Sequence, residues 1–270
     1  MAGSWYAASR AALAADVDAH LAGAGRAVSL PPMAIIAPHA GLRYSGPVAA
    51  CAYATVRGGR YRAAVLVGPS HAAAFHGVSV WPSGAWETPF GPVAVHEPMA
   101  RALAEETPLV HEDRSVHVRE HSLELQMPFV ARLLPDVPIV PLLMGRQTRG
   151  TAEALGRALA RVIGAAAPGR AGEEVLLVAS SDLSHYEDAA TAAALDEVVL
   201  RHVESLDAPG LMAALEREPR HACGGGPLVS VLLAARLLGA SRARVLRYAD
   251  SGDVTGDKSS VVGYMAAALW

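Results

Sequence analysis

Residues 63–71 read AAVLVGPSH, an apolar run that ends in a glycine-proline turn and then a histidine. Two other runs end in a similar way: residues 33–39 read MAIIAPH, and residues 174–185 read EVLLVASSDLSH. A short apolar run bounded by turn residues is typical of a strand that is buried on both faces. The sequence therefore predicts three buried strands whose carboxyl ends lead to His39, His71 and His185.

Helical patterns separate these strands from the others along the chain. Further strands are predicted at residues 139–144, 244–248 and 259–266, and helices at residues 1–25, 48–56, 99–106, 123–134, 151–163, 189–206 and 224–238. Segments 78–80 and 93–95 flank a turn-rich stretch at 86–92, which predicts a hairpin or β-arm. This alternation predicts an α/β fold, a three-layer sandwich with helices on both faces of a mixed, mostly parallel central sheet. No repeat or long linker divides the chain, so we expect a single domain over residues 1–270.

The composition argues against several classes of protein. Hydrophobic residues make up 52% of the chain, yet Asp, Arg, Pro or Gly interrupts every apolar run before the roughly 20 residues of a membrane span. The net charge of −3 comes from 23 basic and 26 acidic residues in no long blocks, which does not indicate a nucleic-acid-binding face. Asp16 and Asp18 stand where a signal sequence would be apolar, so we expect a cytoplasmic protein.

The three histidines that follow strands are candidates for a common site. In open α/β sheets, ligands bind outside the carboxyl ends of the strands. If these strands are parallel neighbours, then His39, His71 and His185 converge. A single histidine after a strand is usually an ordinary loop residue, but three at equivalent places favour a functional site.

Cys223 adds a thiol to this set. It precedes a Gly-Gly-Gly-Pro segment at residues 224–227 where a helix is predicted to begin, and the free N–H groups and dipole of a helix start favour a thiolate. Thiolate and imidazole are ligands for iron, copper or zinc, whereas magnesium and calcium prefer oxygen. His39, His71 and Cys223 therefore predict a metal site with open coordination positions, with a buried structural thiol as the alternative.

Asp182 and His185 follow the strand that ends near residue 179, and we assign them catalytic roles beside the metal. His185 could act as a general acid or base near neutral pH. Asp182 could orient an imidazole.

Five short strings carry a family resemblance. They are APHAG (37–41), GPSH (68–71), EHSLE (120–124), SSDLSH (180–185) and CGGGP (223–227). In this order they resemble the signature of the Memo (mediator of cell motility) family, whose bacterial members are called AmmeMemoRadiSam system protein B. The resemblance extends from about residue 31 to residue 269.

The resemblance implies a fold related to the catalytic subunits of class III extradiol dioxygenases, which use non-haem iron. It implies that His39, His71 and Cys223 occupy metal-binding positions, with Asp182 and His185 as the remaining site positions. Iron is the expected metal, copper is the alternative, and zinc is less favoured. The dioxygenases have a glutamate as third iron ligand, and a thiolate in its place changes the charge and redox behaviour of the metal. We therefore expect redox or oxygen-dependent chemistry on an unidentified small molecule and do not infer ring cleavage.

Three further residues are predicted to bind substrate. The resemblance places His121 and Glu124 near the pocket, and Tyr44, five residues past His39, could reach the pocket with its hydroxyl. The bacterial family name also implies association with a radical-SAM protein and an AMMECR-type protein as partners.

Two alternatives from other classes stay open at this point. Residues 68–72, GPSHA, are similar to the nucleophile elbow G-x-S-x-G, so that Ser70, Asp182 and His185 would form a serine hydrolase triad. Against this, Ala72 replaces the last glycine, and the acid and base lie only three residues apart. The other alternative is a scaffold protein that binds metal without turnover.

Overall fold

The computed structural model describes residues 1–25, 30–166 and 174–270. Its strands are β1 (Ala34–Ala37), β2 (Ala63–Pro69), β3 (Val78–Val80), β4 (Ala85–Trp86), β5 (Val93–Ala94), β6 (Val110–Glu112), β7 (Ile139–Met144), β8 (Val175–Ser180), β9 (His185–Glu187), β10 (Ala243–Asp250) and β11 (Val261–Leu269). Its helices are α1 (Arg10–Ala22), α2 (Leu42–Ala54), α3 (Glu97–Glu106), α4 (Met127–Leu133), α5 (Arg149–Ala166), α6 (Ala189–Glu204), α7 (Ala208–Arg217), α8 (Gly225–Leu237) and α9 (Gly252–Thr255). Short 3₁₀ turns lie at Arg114–His117, Glu124–Gln126 and Pro219–His221.

The main sheet has the strand order β10-β11-β1-β8-β2-β7-β3-β6, with β9 paired to β11. The four strands β1, β8, β2 and β7 run parallel to one another in its centre. Every residue of these four strands is buried, as expected for parallel strands that are covered on both faces. Antiparallel partners flank this centre, β11 beside β1 and β3 beside β7. The predicted mixed, mostly parallel sheet is confirmed.

Two hydrophobic cores lie on opposite faces of the sheet because successive strand side chains point to opposite sides. Ile35 packs into the core beneath α1, α2 and α4, whereas Ile36 packs into the core beneath α3, α5, α6, α7 and α8. Helices therefore cover both faces, which gives the three layers that the sequence predicts. None of the helices in the described ranges is both long and apolar enough to cross a membrane.

The N-terminal helix is shorter than the apolar spacing predicts. Helix α1 begins after Ser9, whose side chain accepts a hydrogen bond from the Ala12 N–H, so Ser9 caps the helix. Trp5 fits the helical spacing but lies outside the helix. The prediction of a helix over residues 1–25 is wrong for its first nine residues, because Ser9 is the N-cap and the helix begins only at Arg10.

Several other elements differ from the prediction, among them the hairpin and a helix that the sequence does not predict. Val78–Val80 joins the main sheet as β3, and the hairpin is formed by Ala85–Trp86 and Val93–Ala94 instead. Helix α7 was not predicted, since the Pro209-Gly210 pair is typical of a turn. In the structure this pair lies in the first turn of α7, where proline is tolerated, and the Asp207 side chain caps the helix by accepting from the Gly210 N–H.

His117 is buried beside β3 in an aromatic cluster. Its Nε2 lies 3.1 Å from the Ser79 hydroxyl, which donates its own proton to the Asp113 carbonyl. The rings of Trp81 and Trp86 meet the imidazole edge-on, with centroids 5.7 and 6.1 Å away. Burial lowers the pKa of His117 to about 4, so the folded protein holds this imidazole neutral at pH 7.

This burial predicts a loss of stability in mild acid. Between the ordinary pKa of 6.5 and the folded pKa of about 4, only the unfolded chain protonates His117. The contribution of His117 to the free energy of unfolding is therefore largest above pH 6.5. Protonation of the unfolded chain lowers the free energy of unfolding as the pH falls, by about 2 kcal/mol at pH 5. His117→Gln keeps a donor for Ser79 and removes this titration. Between pH 7 and pH 5, its free energy of unfolding in urea should therefore fall by about 2 kcal/mol less than that of the parent.

The exposed His76 supplies the control for this comparison. His76→Gln should keep the pH dependence of the parent. Equal losses of stability in the parent and in His117→Gln would show that the folded protein does not keep His117 neutral.

Candidate metal site

The carboxyl ends of three strands meet at one edge of the sheet. Strand β8 lies between β1 and β2 and is parallel to both. The turns after these strands therefore bring His39, His71 and the 181–185 segment to the same edge, as the sequence predicts. Gly68 permits a close approach here, because a Cβ at this position would lie 2.7 Å from the Leu123 side chain.

Three imidazoles form a compact group at this edge. The His39 ring centroid lies 5.2 Å from that of His71 and 5.5 Å from that of His121. His71 and His121 are stacked with centroids 4.6 Å apart. One nitrogen from each ring lies within 4.8 Å of the others, so the three could hold a metal ion. The sequence predicted His39 and His71 as ligands but placed His121 among the substrate-binding residues.

Buried hydrogen bonds orient the His39 ring. The Ser180 hydroxyl donates its single proton to the Ser122 carbonyl, with an Oγ–O distance of 2.6 Å. It must therefore accept from His39, whose Nδ1 lies 2.9 Å away, and it also accepts from the Gln126 amide at 2.7 Å. This network assigns the His39 proton to Nδ1 and leaves a lone pair on Nε2. Burial, together with the nearby His71 and other imidazoles, lowers the pKa of His39 well below its usual range, so the ring is neutral.

Glu120 contacts the other two histidines on the Nδ1 side of their rings. Its Oε1 lies 3.0 Å from Nδ1 of His71 and 3.3 Å from Nδ1 of His121. Burial alone would raise the pKa of this carboxyl, but hydrogen bonds from His71 and Ser122 outweigh burial and hold the pKa well below its usual range. The carboxylate is therefore ionised at neutral pH.

Cys223 lies next to His39, with 3.2 Å between Sγ and Nε2. In the described residues its thiol does not belong to the group of ligand atoms within 4.8 Å of one another. Burial, reinforced by Asp182, raises the pKa of the thiol well above its usual range. This shift favours the protonated thiol while no metal is bound, and the thiolate at the start of α8 stays a prediction. Metal ligation by Cys223 stays a prediction.

Asp182 holds the turn after β1. Its Oδ1 accepts hydrogen bonds from the backbone N–H groups of His39 (2.7 Å) and Ala40 (3.2 Å). Its carbonyl oxygen also accepts from the Cys223 N–H at 3.3 Å. Burial raises the pKa of its carboxyl in spite of these donors. Asp182 thus orients the backbone that carries His39 and does not bond to the His39 ring.

His185 faces the site with an unpaired nitrogen. Its Nε2 is buried and has no hydrogen-bond partner among the described residues. A β-bulge between β9 and β11 leaves Tyr186 unpaired, with a left-handed φ of 63° and a side chain that is 77% exposed. Such bulges re-aim side chains, which here turns His185 inward and Tyr186 toward solvent. Burial lowers the pKa of His185 in spite of the nearby Asp182 carboxyl.

The other predicted site residues lie around this group. Tyr44 is in the first turn of α2 and is 38% exposed, with the Arg43 guanidinium 5.9 Å from its ring centre. Glu124 accepts a hydrogen bond from the Tyr6 hydroxyl at 2.8 Å, so it anchors the N-terminal segment. The substrate-binding roles of Tyr44, His121 and Glu124 stay predictions.

The hydrogen bonds of Ser70 do not form a hydrolase triad. Its hydroxyl donates to the Ala73 carbonyl at 2.8 Å and accepts from the Ala73 N–H at 3.3 Å. Among the described residues, neither Asp182 nor His185 bonds to it. The geometry offers no support for a Ser70 nucleophile.

Trp5 and Glu120 are site residues that the sequence did not single out. The Trp5 indole stacks on the His121 ring with centroids 4.5 Å apart. No pattern in the sequence signals this contact, because residues 5 and 121 come from distant parts of the chain. Glu120 opens the EHSLE string, but its role as a partner of His71 depends on the packing of that loop against β2.

The donor set fits a transition metal. Neutral imidazoles are ligands for iron, copper and zinc, and the His39 lone pair is assigned by its hydrogen bonds. The buried Nε2 of His185, which has no hydrogen-bond partner in the described part of the chain, adds a polar atom that a ligand could satisfy. About a third of the His71 side chain (32%) is exposed, so the site is open to solvent on that side.

Fold and site together define a class: a three-layer α/β protein with a histidine cluster at the carboxyl edge of its sheet. A family model described as Memo-like protein matches residues 1–268. The chain belongs to this Memo family.

Relatives of similar length support this membership. A MEMO1 family protein of Methanothermobacter thermautotrophicus is 39% identical over 231 residues, which cover 85% of this chain and 82% of that protein. One from Thermotoga maritima is 39% identical over 240 residues, which cover 88% of this chain and 83% of that protein. A crystal structure of an uncharacterized Escherichia coli K12 protein matches with a TM-score of 0.53 at 20% identity, covering 76% of this chain and 86% of that one, and it shows a shared fold only.

The imidazole group predicts strong losses of metal binding on substitution. His39→Ala or His71→Ala removes one of three ligands, so each variant should retain less than about a tenth of the metal that the parent binds. The elemental content of protein loaded anaerobically with one equivalent of Fe²⁺ and then desalted measures this.

His76→Ala is the matched control, since His76 is exposed and lies in the turn that follows His71. It should retain the metal content of the parent. Parental metal content in both site variants would disprove the assignment.

Proposed function

We propose that this chain binds a redox-active transition metal, iron in first place and copper as the alternative, and acts on a small molecule in redox or oxygen-dependent chemistry. The observation that carries the proposal is the group of three imidazoles with nitrogens within 4.8 Å of one another. Three protein ligands leave coordination positions open, as catalytic metal sites require. Thiolate and imidazole donors favour iron, copper or zinc over magnesium and calcium.

Two ligand sets share His39 and His71. In the first, His121 completes three neutral nitrogens. In the second, the Cys223 thiol loses its proton and replaces or joins His121. The Sγ atom already lies 3.2 Å from His39 Nε2, so a small movement of either side chain would bring the thiol to a common metal.

The bound metal would supply Lewis acidity and one-electron chemistry. The protein would supply a proton acceptor, because His185 presents a buried, unpaired Nε2 and its pKa is lowered by burial. A neutral imidazole in this position can take a proton from a substrate hydroxyl or thiol. Asp182 would keep His39 in place through the backbone N–H bond at 2.7 Å.

A cavity of about 540 Å³ on the α8 side of Cys223 offers space for a substrate. Gly225 and Gly226 line one part, and Met212 and Leu215 form an apolar wall. The volume is that of a typical small-molecule site. Of the candidate site residues only Cys223 lines this cavity; the three imidazoles do not line it, and neither do Tyr44 and Glu124. A substrate in this cavity would therefore reach the metal through the Cys223 side of the site.

Anaerobic purification followed by elemental analysis tests the metal assignment directly. Iron or copper near one equivalent, lost in His39→Ala, would support the proposal. Zinc alone, or no metal after reconstitution with each ion, would contradict it. Bound iron or copper without oxygen consumption or redox turnover on phenols and thiols would favour a scaffold.

Substitution of each of the two cysteines, Cys223 and Cys51, distinguishes a metal ligand from a cysteine outside the site. If Cys223 binds oxidised iron or copper, the protein should show a sulfur-to-metal charge-transfer band in the visible spectrum, which Cys223→Ser should abolish. Metal affinity should fall about tenfold or more with the loss of the thiolate.

Cys51→Ser is the control, since Cys51 is buried in α2 with its thiol 3.4 Å from the Pro47 carbonyl. It should change neither the band nor the affinity. An unaltered metal spectrum in Cys223→Ser would assign the third ligand to His121 and exclude the thiol.

A further inference from the structure

Glu120 accepts an unusual number of hydrogen bonds for one side chain. Only 2% of the side chain is exposed. Every donor is an N–H group of the two loops that carry His71 and His121: the backbone N–H groups of His71, Ala72, His121 and Ser122, and Nδ1 of His71. The carboxylate therefore joins the turn after β2 to the EHSLE loop.

The contact with His71 determines where that ring carries its proton. Backbone N–H groups already donate to both oxygens of Glu120, which leaves neither oxygen placed to carry a proton, so the Nδ1 of His71, 3.0 Å from Oε1, is the donor. The same oxygen lies 3.3 Å from Nδ1 of His121, a contact without the geometry of a hydrogen bond. The lone pair of His71 is then on Nε2, the nitrogen that points away from Glu120. Ser180 imposes the same tautomer on His39.

We propose that Glu120 is a positioning residue that fixes the Nδ1–H tautomer of His71 and thereby presents its Nε2 atom to the metal, while its bonds to backbone N–H groups hold the loop that carries His121. The inference rests on the proposed function. A carboxylate behind a metal-binding imidazole fixes the ring and increases its basicity, and loss of such a partner costs 10–100-fold in metal affinity. Through its bonds to the backbone N–H groups of both loops, the same carboxylate would also couple the position of His121 to that of His71.

Glu120→Gln removes the charge and keeps the volume. All five donors point at the two carboxylate oxygens, so either orientation of the amide sets an NH₂ group against N–H donors. We expect His71 to lose its Nδ1–H preference and Co²⁺ affinity to fall about 10–100-fold. The probe is Co²⁺ titrated into metal-free protein and followed by its visible spectrum.

The chain offers a matched control in a second carboxylate–histidine pair. Asp207 lies 2.9 Å from Nδ1 of His202 and caps α7 by accepting from the Gly210 N–H. Asp207→Asn disrupts the same kind of contact outside the site. It should lower the unfolding midpoint of the metal-free protein without changing Co²⁺ affinity, which separates a structural role from a positioning role.

The tautomers are measured on metal-free protein by ¹⁵N NMR of the histidine rings. The parent should show Nδ1–H at His71, and Glu120→Gln should show a mixture or the opposite tautomer there. This measurement on the parent needs no variant, so the proposal stays testable if Glu120→Gln does not fold.

Two results would overturn the proposal: an Nε2–H tautomer at His71 in the parent, or Co²⁺ affinity in Glu120→Gln within twofold of the parent. Failure of the proposed function would look different. The parent itself would then bind no Co²⁺, while the NMR result would still decide whether Glu120 sets the His71 tautomer.

Discussion

The parallel register of β1, β8 and β2 is the constraint on which the site depends. Ala37 at the end of β1 pairs with Ser180 at the end of β8, and Ala179 pairs with Val67. The three strands therefore finish at nearly the same level, and the turns after them start from a common edge. A shift of one residue in any strand would invert its buried faces, so the two hydrophobic cores fix the register and, with it, the positions of the histidines.

A network of buried hydrogen bonds then fixes the orientations of the histidine rings at this edge of the sheet. Ser180 joins the His39 ring to the EHSLE loop through the Ser122 carbonyl, and Glu120 joins that loop to the turn that carries His71. A buried polar group without a hydrogen-bond partner destabilises the fold, so each hydrogen bond in the network limits which partners the neighbouring groups can use. The histidines are held in one arrangement before any ligand arrives, which lowers the cost of binding a metal.

The sequence predicts the scaffold of the site better than its chemistry. Apolar runs stopped by turn residues identify β1, β2 and β8, because strands buried on both faces contain few polar residues. The stacking of Trp5 on His121 cannot be read in this way, since it depends on how a segment outside α1 packs against a distant loop. The raised pKa of the Cys223 thiol cannot be read from the sequence either, because the sequence indicates the helix start but not the surroundings of the thiol.

Charge links the identity of the metal to its third ligand. Three imidazole ligands would leave a divalent ion with its full charge, part of which the Glu120 carboxylate beside His71 would offset. Recruiting Cys223 adds a negative charge, but the thiol must first lose a proton that burial and Asp182 make hard to remove. Each unit of raised pKa costs about 1.4 kcal/mol, which the metal–sulfur bond has to supply. Metals with a strong preference for sulfur can offset that cost, and others would remain with His121. Under the proposed function, the metal that occupies the pocket would therefore determine whether the thiol or His121 is the third ligand.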